Sequence, residues 1–270
     1  MAAKPPLRHE EVQRVLRVLE PLTIDRRVVL VGGQAVAFWM RFLARRCEEL
    51  ALADPITSKD IDFEGSAKSV RVAAELLGGR MKLATMDDNT PNTGLVLFED
   101  SDGIEREIDF IDAPLGLNER DVRDTSVQLA LDDEPSAVTL WAMHPERCME
   151  SRVINTTQLH KTGPLALRQL AVSITCAKLW SQFILDDASL PEEQRVKAVL
   201  KINERIFRRC IDDQRFRDVL LDHGTDPFDA VLVDDGRLPD RLRDERYPQM
   251  RVQLDDRLQR DRRSRERRKM

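Results

Sequence analysis

The sequence predicts an α+β protein in which a mixed sheet with flanking helices is followed by an all-helical segment. Three observations carry this reading. Between Val28 and Ile111, short β-branched or aromatic runs alternate with helical patterns, as expected where sheet and helix layers are built in turn. From His144 onward, apolar residues recur at helical spacing alone. Finally, carboxylates sit inside two apolar runs, Asp60-Ile61-Asp62-Phe63 and Glu107-Ile108-Asp109-Phe110, although Asp is depleted from strands.

The elements follow in order. After Pro5-Pro6, the residues Val12, Val15, Leu16 and Leu19 predict a helix over 8–20, stopped at Pro21. Val28–Val31 reads as a strand that breaks at Gly32-Gly33, where the absence of a Cβ lets the backbone turn and approach a ligand. A helix over 34–50 starts there, with its free N–H groups and positive dipole end facing the turn. Val70, Ala73, Ala74 and Leu77 place another helix over 66–78, ended by Gly78-Gly79. A short strand over 81–84 follows. Asp102-Gly103 then joins strands over 95–98 and 104–111 as a hairpin. Strands over 127–131 and 137–141 close the sheet region. Helices are expected over 146–159, 164–185, 190–211, 213–222 and 227–232, the third behind a capping-box spacing, Ser189-Leu190-Pro191-Glu192. The domain reading is therefore an α/β domain over 1–142, an α-helical domain over 143–256 and a flexible basic tail over 257–270. That tail holds seven Arg and one Lys against Asp261 and Glu266, too polar a set to bury. It reads as a solvated helix end, or else as an arm for nucleic-acid phosphates.

At 270 residues the chain is long enough for one large or two modest domains. Its net charge of −5 argues against whole-surface attraction to nucleic acid. Cys47, Cys148, Cys176 and Cys210 are scattered without a C-x-x-C pair, so they read as buried hydrophobes in a reducing compartment. No run of eighteen apolar residues and no signal-peptide core occurs. The expectation is a cytoplasmic protein with no membrane partner. Trp39, Trp141 and Trp180 read as core, and His144 and His160 as turn residues flanking a helix.

In a strand, residues i and i+2 face the same side about 6.5–7 Å apart. Asp60 and Asp62 are thus expected to close on one divalent cation, with Asp109 on the second strand as a third ligand. Asp112 falls on the opposite face, and Glu107 is the nearest same-face substitute. Three carboxylates beside a glycine turn suit Mg²⁺ (or Mn²⁺) and phosphoryl chemistry.

Gly32-Gly33, then Asp60-Ile61-Asp62, then Ile108-Asp109-Phe110 resembles the nucleotidyltransferase superfamily that includes DNA polymerase beta, and most closely its AbiEii-type branch, over residues 28–112. The resemblance implies a nucleotidyltransferase-like mixed sheet and transfer of a nucleoside monophosphate from an NTP. It implies Asp60, Asp62 and Asp109 as catalytic metal ligands and Gly32, Gly33, Gln34 and Ser58 as the nucleotide cradle. The acceptor it allows is an RNA (tRNA included), a protein hydroxyl or a small molecule, and a toxin–antitoxin setting would add a cognate antitoxin as partner. Some positions depart from the branch. Ile56 stands where its members often carry Arg, Glu150 where a Lys is expected, and Lys178 is the nearest substitute. The alternative of another class is a non-catalytic nucleotide- or RNA-binding regulator, or an antitoxin-like partner protein, that keeps the fold.

Overall fold

A computed structural model describes residues 5, 7–25, 28–53, 56, 60–85, 87–88, 92–130 and 138–269. The chain divides into two compact units, Met1–Ser151 and Arg152–Met270. The helix Pro145–Thr157 straddles this division.

The first unit is a seven-stranded mixed sheet with helices, the α+β architecture expected. Its strands are β1 (Val28–Val31), β2 (Ile61–Gly65), β3 (Arg80–Leu83), β4 (Asn92–Glu99), β5 (Glu105–Ile111), β6 (Val127–Ala130) and β7 (Thr139–Ala142), in the order β3-β4-β5-β2-β1-β7-β6. Pairing is antiparallel except where β2 meets β5 and β1 meets β7. Alternation along β2 and β5 sends Ile61, Phe63, Ile108 and Phe110 to one face, all of them buried. The Phe63 and Phe110 rings stack there at 5.7 Å. The carboxyl-bearing Asp62, Glu64, Glu107 and Asp109 take the other face.

Helices α1 (His9–Val18) and α2 (Glu20–Ile24) open the unit. Pro21 does not end a helix there, as the sequence suggested; it sits in the first turn of α2, where its missing N–H has no intrahelical acceptor to serve. The single helix expected over 34–50 is two, α3 (Gly32–Ala44) and α4 (Glu48–Leu52), and α3 packs on β1 and β2. Helix α5 (Ala67–Leu77) has the ends its sequence demands, with Ser66 as N-cap and Gly78 in the left-handed region at φ 60°. The hairpin at Asp102-Gly103 forms as predicted between β4 and β5. Asp100 closes it by accepting from the Asp102 and Ile104 amides, each at 2.9 Å.

Helix α6 (Glu119–Thr125) begins at Asn118, whose Oδ1 accepts from the Asp121 amide at 2.8 Å. Asn118→Ala removes that cap and is expected to cost about 1 kcal/mol, readable as a lowered urea midpoint at unchanged slope.

The second unit holds the rest of α7 (Pro145–Thr157), then α8 (Pro164–Asp186), α9 (Glu192–Asp212), α10 (Gln214–His223) and α11 (Tyr247–Lys269). Leu185, Val199, Leu232 and Leu238 form one apolar cluster. Asn203 ties the chain across it, donating to the Leu232 carbonyl at 2.6 Å and accepting from the Leu232 amide at 3.0 Å. The capping box at Ser189 does not form; Pro191 holds the N-cap position of α9 and the Ser189 amide turns back to Asp187. The basic stretch from Arg257 is helical, as its reading as a solvated helix end expected, and belongs to α11, which runs unbroken to Lys269. Leu254 and Leu258 are buried along it, and ion pairs to α10 anchor its inner side. Cys148, Cys176 and Cys210 are buried and Cys47 is half-buried, each a thiol and none in a disulfide. No helix among the described residues is long and apolar enough to cross a membrane.

Candidate active site

The acidic face of the sheet acquires its geometry from strand register. Asp62 lies opposite Asp109 across the parallel β2–β5 pair and opposite Val31, the last residue of β1, across the antiparallel β1–β2 pair. Immediately after Val31 the chain turns into α3 at Gly32, with φ at +67°. A Cβ at Gly32 would fall on the Asp62 carboxylate, 2.7 Å from its Cγ. The close approach that this glycine permits is therefore made by Asp62. The strand end, the helix N-terminus and the two opposed acids are thereby brought to one place.

Gly32, Gly33 and Gln34 are all buried and form the first turn of α3, whose N-cap residue Val31 contributes no side-chain cap. Their amides lie at the positive end of a 13-residue helix. Ser58 lies outside the described residues. Asp60 does not share the strand with Asp62: β2 begins at Ile61, and Asp60 stands before it in an exposed bend. Beyond Val31↔Asp62 the first strand has turned into α3, so nothing on that side continues the ladder to residue 60.

The charges on this face act on one another. Burial, followed by the negative charge of Glu107, Asp62 and Asp60, pushes the Asp109 carboxyl up to about 7. Asp60 therefore belongs to the same electrostatic neighbourhood although it lies off the strand. Asn92 Nδ2 donates to Asp109 Oδ1 at 3.2 Å, a contact hidden in the sequence by the turn-rich run before β4. Glu64 was also missed, though the alternation Asp60-x-Asp62-x-Glu64 signals it. It is 2% exposed, and Arg123 of α6 donates to its Oε1 from Nε at 3.0 Å and from Nη2 at 2.9 Å. Burial still raises its carboxyl to about 7 against the pull of Arg123.

Asp62 and Asp109 offer carboxylate oxygens, the chemistry that hard cations such as Mg²⁺ or Mn²⁺ prefer. Among the described residues, no group of three or more His, Cys, Asp and Glu side chains is arranged to hold a metal ion by itself. The opposed pair Asp62 and Asp109 fits a cation that takes its remaining ligands from water and phosphate, which is the usual habit of Mg²⁺.

Other singled-out residues have structural partners. Glu150 is buried and accepts from Arg147 at 2.6 Å. Lys178 lies near enough to Asp229 to draw its carboxyl down, against the larger upward push of burial and of Asp226. The His144 ring nitrogen Nδ1 accepts from the Glu146 amide at 3.2 Å. His160 turns the chain after α7 at φ 50°. Trp39 is fully buried and donates to the Met143 carbonyl at 2.8 Å.

No protein-family model matches the chain, and no curated protein sequence matches it. In structure it is similar to JHP933 from Helicobacter pylori, with 16% identity, 94% of this chain and 92% of that one covered, and a TM-score of 0.36. It is also similar to the Megavirus polyadenylate synthase, with 11% identity, 77% of this chain and 44% of that one covered, and a TM-score of 0.39. Both likenesses are remote, and the candidate site stands on its own geometry.

Proposed function

We propose that the first unit is a nucleotidyltransferase that uses an NTP as donor and a divalent cation as cofactor. The observation that carries this reading is the direct opposition of Asp62 and Asp109 on β2 and β5, with Asp62 set against the first turn of α3 at Gly32. Asp62 and Asp109 would hold the cation, and Asp60 would complete the negative field from the bend before β2. A bound Mg²⁺ neutralises phosphate charge and lowers the pKa of an attacking hydroxyl. The amides of Gly33 and Gln34, at the positive end of α3, are suited to the triphosphate. Asn92 orients Asp109 by donating to its Oδ1. The AbiEii-type assignment and a toxin–antitoxin role rest on the sequence resemblance alone.

The test is thermal and chemical unfolding of the protein with each NTP, with and without Mg²⁺, alongside Asp62→Ala. An NTP at about 100 times its Kd stabilises by roughly 2.7 kcal/mol. The expected result is stabilisation of the unsubstituted protein by one NTP, dependent on Mg²⁺ and absent in Asp62→Ala. If no nucleotide shifts the unsubstituted protein, the enzyme reading is lost. Because no triad of ligands is preassembled among the described residues, a nucleotide-binding regulator is the second reading. It is favoured if an NTP binds equally well with Mg²⁺ absent and with Asp62 removed.

A further inference from the structure

Over residues 257–269, helix α11 turns one row of side chains inward and carries exposed Arg on the other side, where the exposed Asp256 stands one turn before Arg260. Leu254 and Leu258 are buried, Asp261 accepts from Arg217 at 2.6 Å, and Arg265 pairs with Asp222 and, at 2.6 Å, with Asp218. These four positions recur at i, i+4, i+7 and i+11, a single stripe on the inner side of the helix. Arg260, Arg263 and Arg267 recur at i, i+3 and i+7 on the opposite side, and all three are exposed. Arg257 and Arg262 lie at the borders of that side and are also exposed, as is Arg268, which stands seven residues on from Asp261. Among the described residues, none of these six has an acidic partner.

Segregation on this scale is not needed to make the helix. Cations complement the helix dipole only within the last turn, and Arg260 and Arg263 lie further back. Arg263 and Arg267 stand at i, i+4, where like charges repel. The charge is also local. Seven Arg and one Lys against Asp261 and Glu266 give +6 for 257–270, and the chain's total of −5 leaves −11 for 1–256. A strongly basic outer face on an otherwise acidic chain matches a polyanion. The seven-to-one choice of Arg over Lys points to phosphate, which the planar guanidinium fork pairs bidentately. It points further to RNA, where guanidinium planes also stack on unstacked bases and arginine-rich segments are a recognition element. With a rise of 1.5 Å per residue, the central stripe is about 10 Å long.

We propose that the outer face of α11, centred on Arg260, Arg263 and Arg267, binds the phosphate backbone of a single-stranded RNA. This surface stands apart from the catalytic reading, since its binding requires neither NTP, cation nor Asp62.

The test is fluorescence anisotropy with a labelled single-stranded RNA of mixed sequence and about 20 nucleotides, long enough to cover a protein's site on a single strand. It is read across a series of KCl concentrations, using the full chain, Arg260→Gln/Arg263→Gln/Arg267→Gln, the matching triple Lys variant and Asp62→Ala. On a single strand each phosphate contact adds about 0.7 to the slope of log affinity against log salt. The Gln variant is therefore expected to lose about 2 from that slope and at least about tenfold in affinity at low salt. The Lys variant keeps the slope, and Asp62→Ala binds like the unsubstituted protein, which separates this surface from the active site. Circular dichroism confirms that α11 remains folded in each variant. The proposal is overturned if the unsubstituted protein does not bind the RNA at low salt, or if the Gln variant keeps affinity and slope. Displacement of the RNA by poly-glutamate at equal charge would reassign the face to an acidic protein. Tighter binding of duplex DNA would remove the assignment to RNA.

Discussion

Replacing Asp100 with Ala is expected to lower the stability of the first unit by about 3–5 kcal/mol, the usual consequence of removing one partner from a buried ion pair. Arg106 Nε donates to Asp100 Oδ2 at 2.7 Å, with side chains 5% and 2% exposed respectively. The other carboxylate oxygen accepts the Asp102 and Ile104 amides. The substitution therefore strands a buried guanidinium and uncaps the β4–β5 hairpin at once. Arg106 keeps one further acceptor, the Pro5 carbonyl at 2.6 Å, which does not neutralise its charge.

The pH dependence follows from the same contacts. Burial pulls the Asp100 carboxyl upward, but the hydrogen bonds from Arg106 and the two amides prevail and hold it below the ordinary Asp range. A carboxyl lowered by folding contributes its stability above the unfolded value, about 3.9, and loses it as pH falls through the folded value. The gap between the unsubstituted protein and Asp100→Ala should thus be full at neutral pH and shrink in acid below about 3.9. Urea unfolding followed by hydrogen exchange in β4 and β5 measures it locally. A loss under about 1 kcal/mol would mean that Arg106 finds water or another acceptor when Asp100 is removed.

Gly32→Ala is expected to damage both fold and site. A left-handed backbone costs a residue with a Cβ roughly 1–2 kcal/mol, and Gly32 stands at φ +67°. The new methyl would also occupy the place of the Asp62 carboxylate, so either the first turn of α3 or Asp62 must move. A displacement of about 1 Å in a positioned catalytic group costs on the order of 10²-fold. The variant should therefore lose NTP-dependent stabilisation, and any transfer activity should fall by about that factor in rate. Gly78→Ala is the control. That residue has nearly the same backbone angle, φ +60°, and nothing within 4 Å of its would-be Cβ. It should lose about as much stability to the backbone and leave nucleotide binding unchanged. Equal effects of the two on binding would show that backbone strain alone, and not the contact with Asp62, explains the loss at Gly32.

Local chemistry carried much of the fold directly from the sequence. Apolar periodicity located the long helices of the second unit, Ser66 and Gly78 bounded α5, and Asp102-Gly103 marked a hairpin, because each depends on residues near in the chain. The acids of the candidate site were likewise visible as Asp among Ile and Phe. What only the tertiary structure decided was register and partnership. The pairing of Asp62 with Asp109 joins strands 47 residues apart in sequence, and a slip of one position would turn either carboxylate to the opposite face. The displacement of Asp60 into a bend, the contact between Asp62 and Gly32 and the link from Asn92 to Asp109 all depend on that register. The order of α11 is of the same kind. Its composition reads as a tail too polar to bury, yet Asp218 and Asp222 on α10 meet Arg265 across the unit. Nothing in a local window of sequence records which acids will stand opposite which cations, because chain folding alone brings them within reach.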